Sequence, residues 1–156
     1  MRQFRLITHL AVCFFIATAP SRSRAEEAPN EASTAAPLGV WVAQSMEADG
    51  QKVPEEVVKR MRFTFKADKL LIKGNSKKQD DSEQECVYTV DAKQTPMHLD
   101  FTPPNQDKPV LAIYEVKDDE LKICIRHASS KDGRPEKFET KAGAKLVLFV
   151  FKKQKP

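Results

Sequence analysis

Short runs in which apolar and polar residues alternate begin at Leu38 and continue to the end of the chain. Between residues 97 and 102, for example, three apolar side chains alternate with His98 and Asp100. A period of two residues is typical of β-strands that bury one face and expose the other. The pattern predicts strands over residues 38–47, 62–66, 69–73, 85–91, 97–102, 110–117, 120–127 and 145–152.

The segment that follows the first strand has the residue pattern of a short helix, over residues 52–61. Pro54 suits a first helical position, two glutamates follow in the first turn, and a lysine and an arginine occupy the last turn. Val57, Val58 and Met61 form an apolar stripe. We expect this stripe to pack against a sheet or across one end of a barrel.

About eight antiparallel strands in sequence order, with one inserted helix, predict an all-β fold that closes as an up-and-down β-barrel. A sandwich of two sheets is the alternative. The last strand is apolar on both faces, so we expect its outer face to be covered by the helix or by Phe138. Two long polar loops, residues 74–84 and 128–144, separate the strands.

Residues 1–25 have the pattern of a signal peptide. A basic start precedes an apolar run, and Ser23-Arg24-Ala25 places small residues where a signal peptidase cleaves. The run is too short for a membrane helix, and lipid attachment at Cys13 would divide it. We therefore expect export to the periplasm, the cell surface or the medium, without a membrane span in the mature protein. A disordered leader over 26–37 and one folded domain over 38–153 should follow.

Cleavage after residue 25 changes the charge of the protein. The full chain has 26 basic and 22 acidic residues, a net charge of +4. The signal segment removes four arginines and no acidic residue, so 26 − 4 = 22 basic residues balance 22 acidic ones in the mature protein. A protein without net charge lacks the long-range field that attracts nucleic acid or an anionic membrane surface. We expect neither as a partner.

Two cysteines remain after cleavage, Cys86 and Cys124. An oxidising compartment favours a disulfide between them. Strand alternation opposes it, because Cys86 is in phase with apolar neighbours whereas Cys124 is in phase with the charged residues of its strand. We expect one thiol to point inward and the other outward, and we keep the disulfide as the less favoured alternative.

The mature sequence lacks the residue groups that enzymes use. His98 and Asp100 form an i, i+2 pair, but no further cysteine or histidine completes a metal site. The acidic stretch 79–83 does not have the spacing of a calcium loop. Glycine-rich phosphate loops and nucleophile motifs are missing as well. We therefore expect no catalytic activity, no bound metal and no cofactor.

The first strand carries Gly39-x-Trp41, which resembles the first-strand motif of lipocalins and their calycin relatives. The stretches LGVWVAQSMEADGQKVPEEVVKRMRFTFKADKL, YTVDAKQTPMHLDFTP, LAIYEVKDDELKICI and GRPEKFETKAGAKLVLFVFKK resemble a lipocalin-like exported domain of unknown function that is abundant in planctomycete bacteria. The resemblance covers residues 38–153 and implies an exported barrel without an established activity. Lipocalins also pair the first-strand tryptophan with a basic side chain near the closed end of the barrel. By position, Arg126 or Lys152 could take that part here.

Two classes of function fit this sequence. One is a binding barrel that holds a small apolar molecule near its open end, and the other is an envelope protein-interaction or structural domain that acts through the two long loops. The many large inward side chains favour a filled interior, in which Ala112 is the main position that would open a cavity. For Trp41 we favour a structural role, plugging one end.

If the barrel holds a ligand, five residues are the candidates to contact it. We also expect the protein to be a monomer. The candidate ligand-contacting residues are Trp41, Tyr88, Ala112, Tyr114 and Arg126.

Overall fold

The computed structural model describes residues 36–74, 82–127, 130 and 132–155. The predicted signal peptide and most of the predicted leader lie outside these residues, as do 75–81 of the first long loop and three residues of the second. The described elements are β1 (Gly39–Ala48), β2 (Gln51–Lys52), α1 (Glu55–Val58), β3 (Arg62–Phe65), β4 (Lys69–Lys73), β5 (Glu83–Asp91), β6 (Met97–Thr102), β7 (Val110–Lys117), β8 (Glu120–Arg126) and β9 (Leu146–Lys153).

The strands form a closed antiparallel barrel. Apart from the short β2, they pair in the order β1, β3, β4 and onward to β9, and β9 pairs back with β1. The eight-stranded barrel that the alternation predicts is therefore confirmed, and the sandwich alternative is wrong because one continuous sheet closes on itself. Each of the eight predicted strands begins and ends within two residues of its predicted bounds.

The helix is shorter than predicted at both ends, and a hairpin occupies the residues before it. Asp49 and Gly50 both adopt positive φ angles, 51° and 80°, as a two-residue hairpin turn requires. This turn pairs β2 with the end of β1, so the helix can begin only after Pro54. Val58 and Met61 are buried against the core while Val57 stays 44% exposed. Helix α1 and the turn that follows it therefore cover part of one barrel end with two of the three predicted apolar side chains.

One end of the barrel, where β1 begins and β9 ends, is closed by packed aromatic side chains. Trp41 is only 1% exposed, and its indole N–H donates a hydrogen bond to the Pro37 carbonyl oxygen at 2.6 Å. Residues 36 and 37, assigned to the leader in the sequence, thus belong to the folded unit. The Phe63 ring lies 4.8 Å from that of Phe151 between centroids, and the Tyr88 hydroxyl donates to the Lys66 carbonyl oxygen. We call this region the closed end.

The basic partner of Trp41 is Lys153. Its ammonium lies 5.5 Å from the centre of the indole ring, because the two residues face each other across the β9–β1 pairing. The sequence-based assignment to Arg126 or Lys152 is wrong. Lys152 alternates to the opposite face of β9, and Arg126 ends β8 at the other end of the barrel.

Residues 132–144, which we call the strap, cross the outside of the barrel wall. Arg134 donates to the Ala112 carbonyl oxygen at 2.6 Å and forms an ion pair with Asp100. At the far end of the strap, Thr140 hydrogen-bonds to Glu47 at the end of β1. Ile113, paired in register with Cys124, is fully buried although it lies outside the interior cluster. The strap therefore shields a second, smaller apolar patch on the outer face.

The strap also determines the environment of Cys124. Both cysteines are free thiols, so the disulfide alternative is not realised. Cys86 belongs to the interior cluster, and Cys124 is fully buried outside that cluster. One thiol thus faces inward and the other outward, as the alternation predicts, but alternation along β8 could not reveal that the strap also buries the outward one.

Candidate ligand cavity at the open end of the barrel

A cavity of about 600 Å³ occupies the barrel end opposite Trp41. It lies between α1, the ends of β1, β4, β6 and β8, and the starts of β3, β5, β7 and β9. Several of its outer residues are exposed, so the cavity opens to solvent at this end. Its lining residues are Met46, Val57, Arg60, Met61, Phe63, Ile72, Gly74, Gln84, Phe101, Pro103, Gln106, Val110, Ile125, Arg126, His127, Val147 and Phe149.

The floor of the cavity consists of buried apolar side chains. Phe63, Ile72, Phe101 and Phe149 are each no more than 5% exposed and belong to the same core cluster that fills the closed end. Rings that are held on several sides keep their positions when a ligand arrives. The cavity is therefore preformed, because its floor continues into the packed core.

A bulge in β1 directs one methionine into the cavity. Ala43 and Ser45 lie opposite the consecutive residues Phe151 and Val150, which leaves one extra residue in β1. A bulge of this kind reverses which side chains point inward beyond it. Without it, Met46 would alternate to the outer face, whereas here it packs against the core and lines the cavity.

The rim is fixed where α1 approaches the end of β4. Gly74 has a φ of 85°, and a Cβ atom there would lie 2.3 Å from the Arg60 carbonyl oxygen. Only glycine allows this approach without displacing the backbone. The chain just after α1 is thus held against the end of β4, which places Arg60 on the rim.

Two guanidinium groups line the mouth of this apolar cavity, those of Arg60 and Arg126. Arg126 donates through Nε to the Gly133 carbonyl oxygen at 2.7 Å and through Nη1 to the Ala144 carbonyl oxygen at 3.0 Å. These bonds tie both ends of the strap to the barrel mouth and hold the Arg126 side chain in place. None of the described residues that line the cavity carries a carboxylate.

The structure brings only one of the five sequence-based candidates to this cavity. Arg126 lines it, whereas Trp41, Tyr88 and Tyr114 are buried among the side chains of the closed end. Ala112 is fully buried on β7. The three aromatic candidates fill the barrel instead of facing its opening.

The pair considered as metal ligands has other partners. The Asp100 carboxylate lies 2.6 Å from the Arg134 guanidinium, and His98 is placed opposite Asp91 on the neighbouring strand. In the described part of the chain, no three histidine, cysteine, aspartate or glutamate residues are grouped closely enough to hold a metal ion.

Burial raises the pKa of both cysteine thiols, from 9.0 to about 11. For Cys124, the Arg126 charge and a hydrogen bond with the backbone of Glu139 act in the opposite direction but do not outweigh burial. Thiolates are the reactive form of cysteine, so two buried thiols with raised pKa values should be inert in the folded protein.

We predict that the two thiols make the protein less stable in alkali. The folded protein keeps both protons up to about pH 11, whereas the unfolded chain loses them near pH 9. Their contribution is therefore complete below pH 9 and is lost as the pH rises to about 11. Urea unfolding under reducing conditions should show this decline, and Cys86→Ala should make it smaller. An equal decline in Cys86→Ala would contradict the assignment for that thiol.

Within the described residues, no helix is long and apolar enough to cross a membrane. Comparisons of the chain with protein-family models, with curated proteins and with solved structures found no match.

Proposed function

We propose that this protein is an exported, non-catalytic binding barrel that holds one small apolar molecule in the cavity at its open end. The observation that carries the proposal is the preformed cavity of about 600 Å³ with mainly apolar walls. The protein acts as a monomer outside the cytoplasm and needs no cofactor.

The size and lining of the cavity suit this role. Sites for small molecules are concave, mostly apolar and of ~300–1,000 Å³, with a few polar groups that orient the ligand. Eleven of the lining residues are apolar, and the polar ones stand at the mouth or on its rim. Each Å² of apolar ligand surface removed from water contributes ~25 cal/mol, so a molecule that fills the walls gains affinity mainly from burial.

The interaction-domain alternative has less support from the described residues. The strap is the larger part of one proposed contact loop, and Arg134, Arg126 and Thr140 bind it to the barrel. A segment held at several points covers the wall beneath it, which gives the strap a structural role in the barrel. The binding barrel is therefore the function that we favour.

Filling the cavity tests this proposal. Val147 on β9 is partly buried, packs against the core and lines the cavity, so Val147→Trp should occupy the space that a ligand would take. We expect the wild-type protein to bind the neutral fluorophore phenylnaphthylamine and neutral dodecanol in the micromolar range, and Val147→Trp to bind both at least ~10-fold more weakly.

The matched control is Val87→Trp. Val87 is 66% exposed on the outer face of β5 and does not line the cavity, so this change should leave binding unaltered. The proposal fails if the wild-type protein binds neither neutral probe, or if both tryptophan variants reduce binding equally. Circular dichroism of each variant establishes that the barrel is still folded.

A further inference from the structure

We infer that the molecule bound in the cavity is a single-chain amphiphile whose head group is an anionic oxyacid, a carboxylate or a phosphate monoester, with Arg60 at the rim as its counter-ion. This inference rests on the proposed function and specifies the class of ligand. The observation behind it is the uneven distribution of charge between the mouth of the cavity and its walls.

The mouth carries positive charge that the cavity itself does not balance. Arg60 and Arg126 both line it, and the described lining residues include no aspartate or glutamate. The whole mature chain is nevertheless expected to have equal numbers of acidic and basic residues. The two arginines therefore give the mouth a local positive charge in a molecule whose expected net charge is zero. A bound anion would neutralise part of that local charge.

The two arginines are arranged differently. The Arg126 side chain is 16% exposed, and its guanidinium donates to two strap carbonyl oxygens. The carboxylate of Asp132, a side chain that is 72% exposed, lies 3.5 Å from it. Arg126 is thus a fixed positive charge that uses two of its five N–H donors on the strap. It attracts an anion to the mouth, but the strap determines its orientation.

Arg60 has its donors available. It is exposed, and among the described residues no carboxylate lies within ion-pair distance of its guanidinium. Its backbone is held by the close approach of Gly74, so its side chain starts from a fixed point on the rim. A guanidinium presents two parallel N–H groups that match the two oxygens of a carboxylate or a phosphate.

The apolar walls explain why the rest of the ligand should be a chain. Below the rim the lining consists of phenylalanine, isoleucine, valine and methionine side chains, and the floor has no ionisable group. A second charge on the ligand would be buried there without a partner, at high cost. A ligand with one charged head group at the rim and one apolar tail on the floor would match both regions of the cavity.

Probes with the same chain and different heads separate this inference from the proposed function. Dodecanol, dodecanoate, dodecyl phosphate and dodecyltrimethylammonium share the same tail and are titrated below their micelle concentrations. We expect at least one of the two anions to bind ~10-fold more tightly than dodecanol, and the cation to bind more weakly than dodecanol. The preference should shrink as salt is raised, because the rim is open to solvent.

Arg60→Gln should lower the affinity for the preferred anion ~5-fold and leave dodecanol binding unchanged. The matched control is Arg62→Gln, which removes an exposed arginine on β3 that does not line the cavity and should alter neither affinity. Equal binding of the anions and dodecanol, or an anion preference that survives in Arg60→Gln, overturns the inference while the binding barrel stands. If no probe binds at all, dodecanol included, the proposed function itself fails.

Discussion

Replacing Trp41 with alanine is expected to lower the free energy of unfolding by about 3–5 kcal/mol. The side chain is 1% exposed at the closed end, so its removal leaves a cavity that the surrounding strands cannot easily fill. The change also leaves the Pro37 carbonyl oxygen without its indole donor and Lys153 without the ring beneath its ammonium. The denaturation midpoint in urea, at constant slope, measures the loss.

Three further variants separate the contributions to the destabilisation expected for Trp41→Ala. Trp41→Phe keeps an aromatic ring but not the N–H, and should cost clearly less than Trp41→Ala. Lys153→Met removes only the charge over the ring, worth about 0.5–1 kcal/mol at an exposed site. Val87→Ala, on the exposed outer face, should stay within about 0.5 kcal/mol of the wild type. An unchanged midpoint in Trp41→Ala would mean that the closed end does not depend on this residue.

Much of the barrel could be predicted from the sequence because alternation along a strand determines which side chains face inward. Residues such as Leu99 and Phe101 have a clear period of two, and the structure buries both inside the barrel. The two-residue β2 and the shortened helix escaped prediction. The hairpin that turns at Asp49 and Gly50 takes up Lys52, the first residue of the predicted helix, and the helix ends at Val58 instead of residue 61.

The site was harder to predict than the fold. Alternation shows which side chains face inward, but it does not show where along the barrel axis the filled interior ends and the cavity begins. Tyr88 and Tyr114 were expected to face a ligand, but they lie at the end where the aromatic residues meet and fill the barrel. Met46 reaches the cavity only because of a bulge, for which the sequence has no signal that we recognised. Arg126, one of the five candidates, lines the cavity, and its contact with a ligand stays a prediction.

The strap was the least predictable element, because its contacts join residues that are far apart in the chain. Arg134 binds groups 22 to 35 positions away, and no local pattern indicates such partners. Phe138 was suggested as a cover for the outer face of β9. It lies half-buried in the strap, and the outward Leu148 and Val150 of β9 are half-buried as well.

Because of these long-range contacts, Arg134→Gln is expected to destabilise the protein by about 2–3 kcal/mol. The guanidinium donates to the Ala112 carbonyl oxygen at 2.6 Å and to Asp100 Oδ2 at 2.8 Å, so it links two strands to the strap. Its loss leaves the Asp100 carboxylate, which is 30% exposed, without a counter-charge. Urea unfolding measures the change, and Lys137→Gln, an exposed position in the same strap, should be nearly neutral.

A local readout distinguishes a loosened strap from a generally weaker barrel. Cys124 lies beneath the strap, and Cys86 lies inside the barrel. If Arg134 holds the strap in place, Arg134→Gln should increase the rate at which a thiol reagent labels Cys124 by at least ~10-fold, because local opening precedes global unfolding. Labelling of Cys86 should rise only as far as the lower global stability requires. Equal acceleration at both cysteines would show that Arg134 stabilises the whole barrel without a specific effect on the strap.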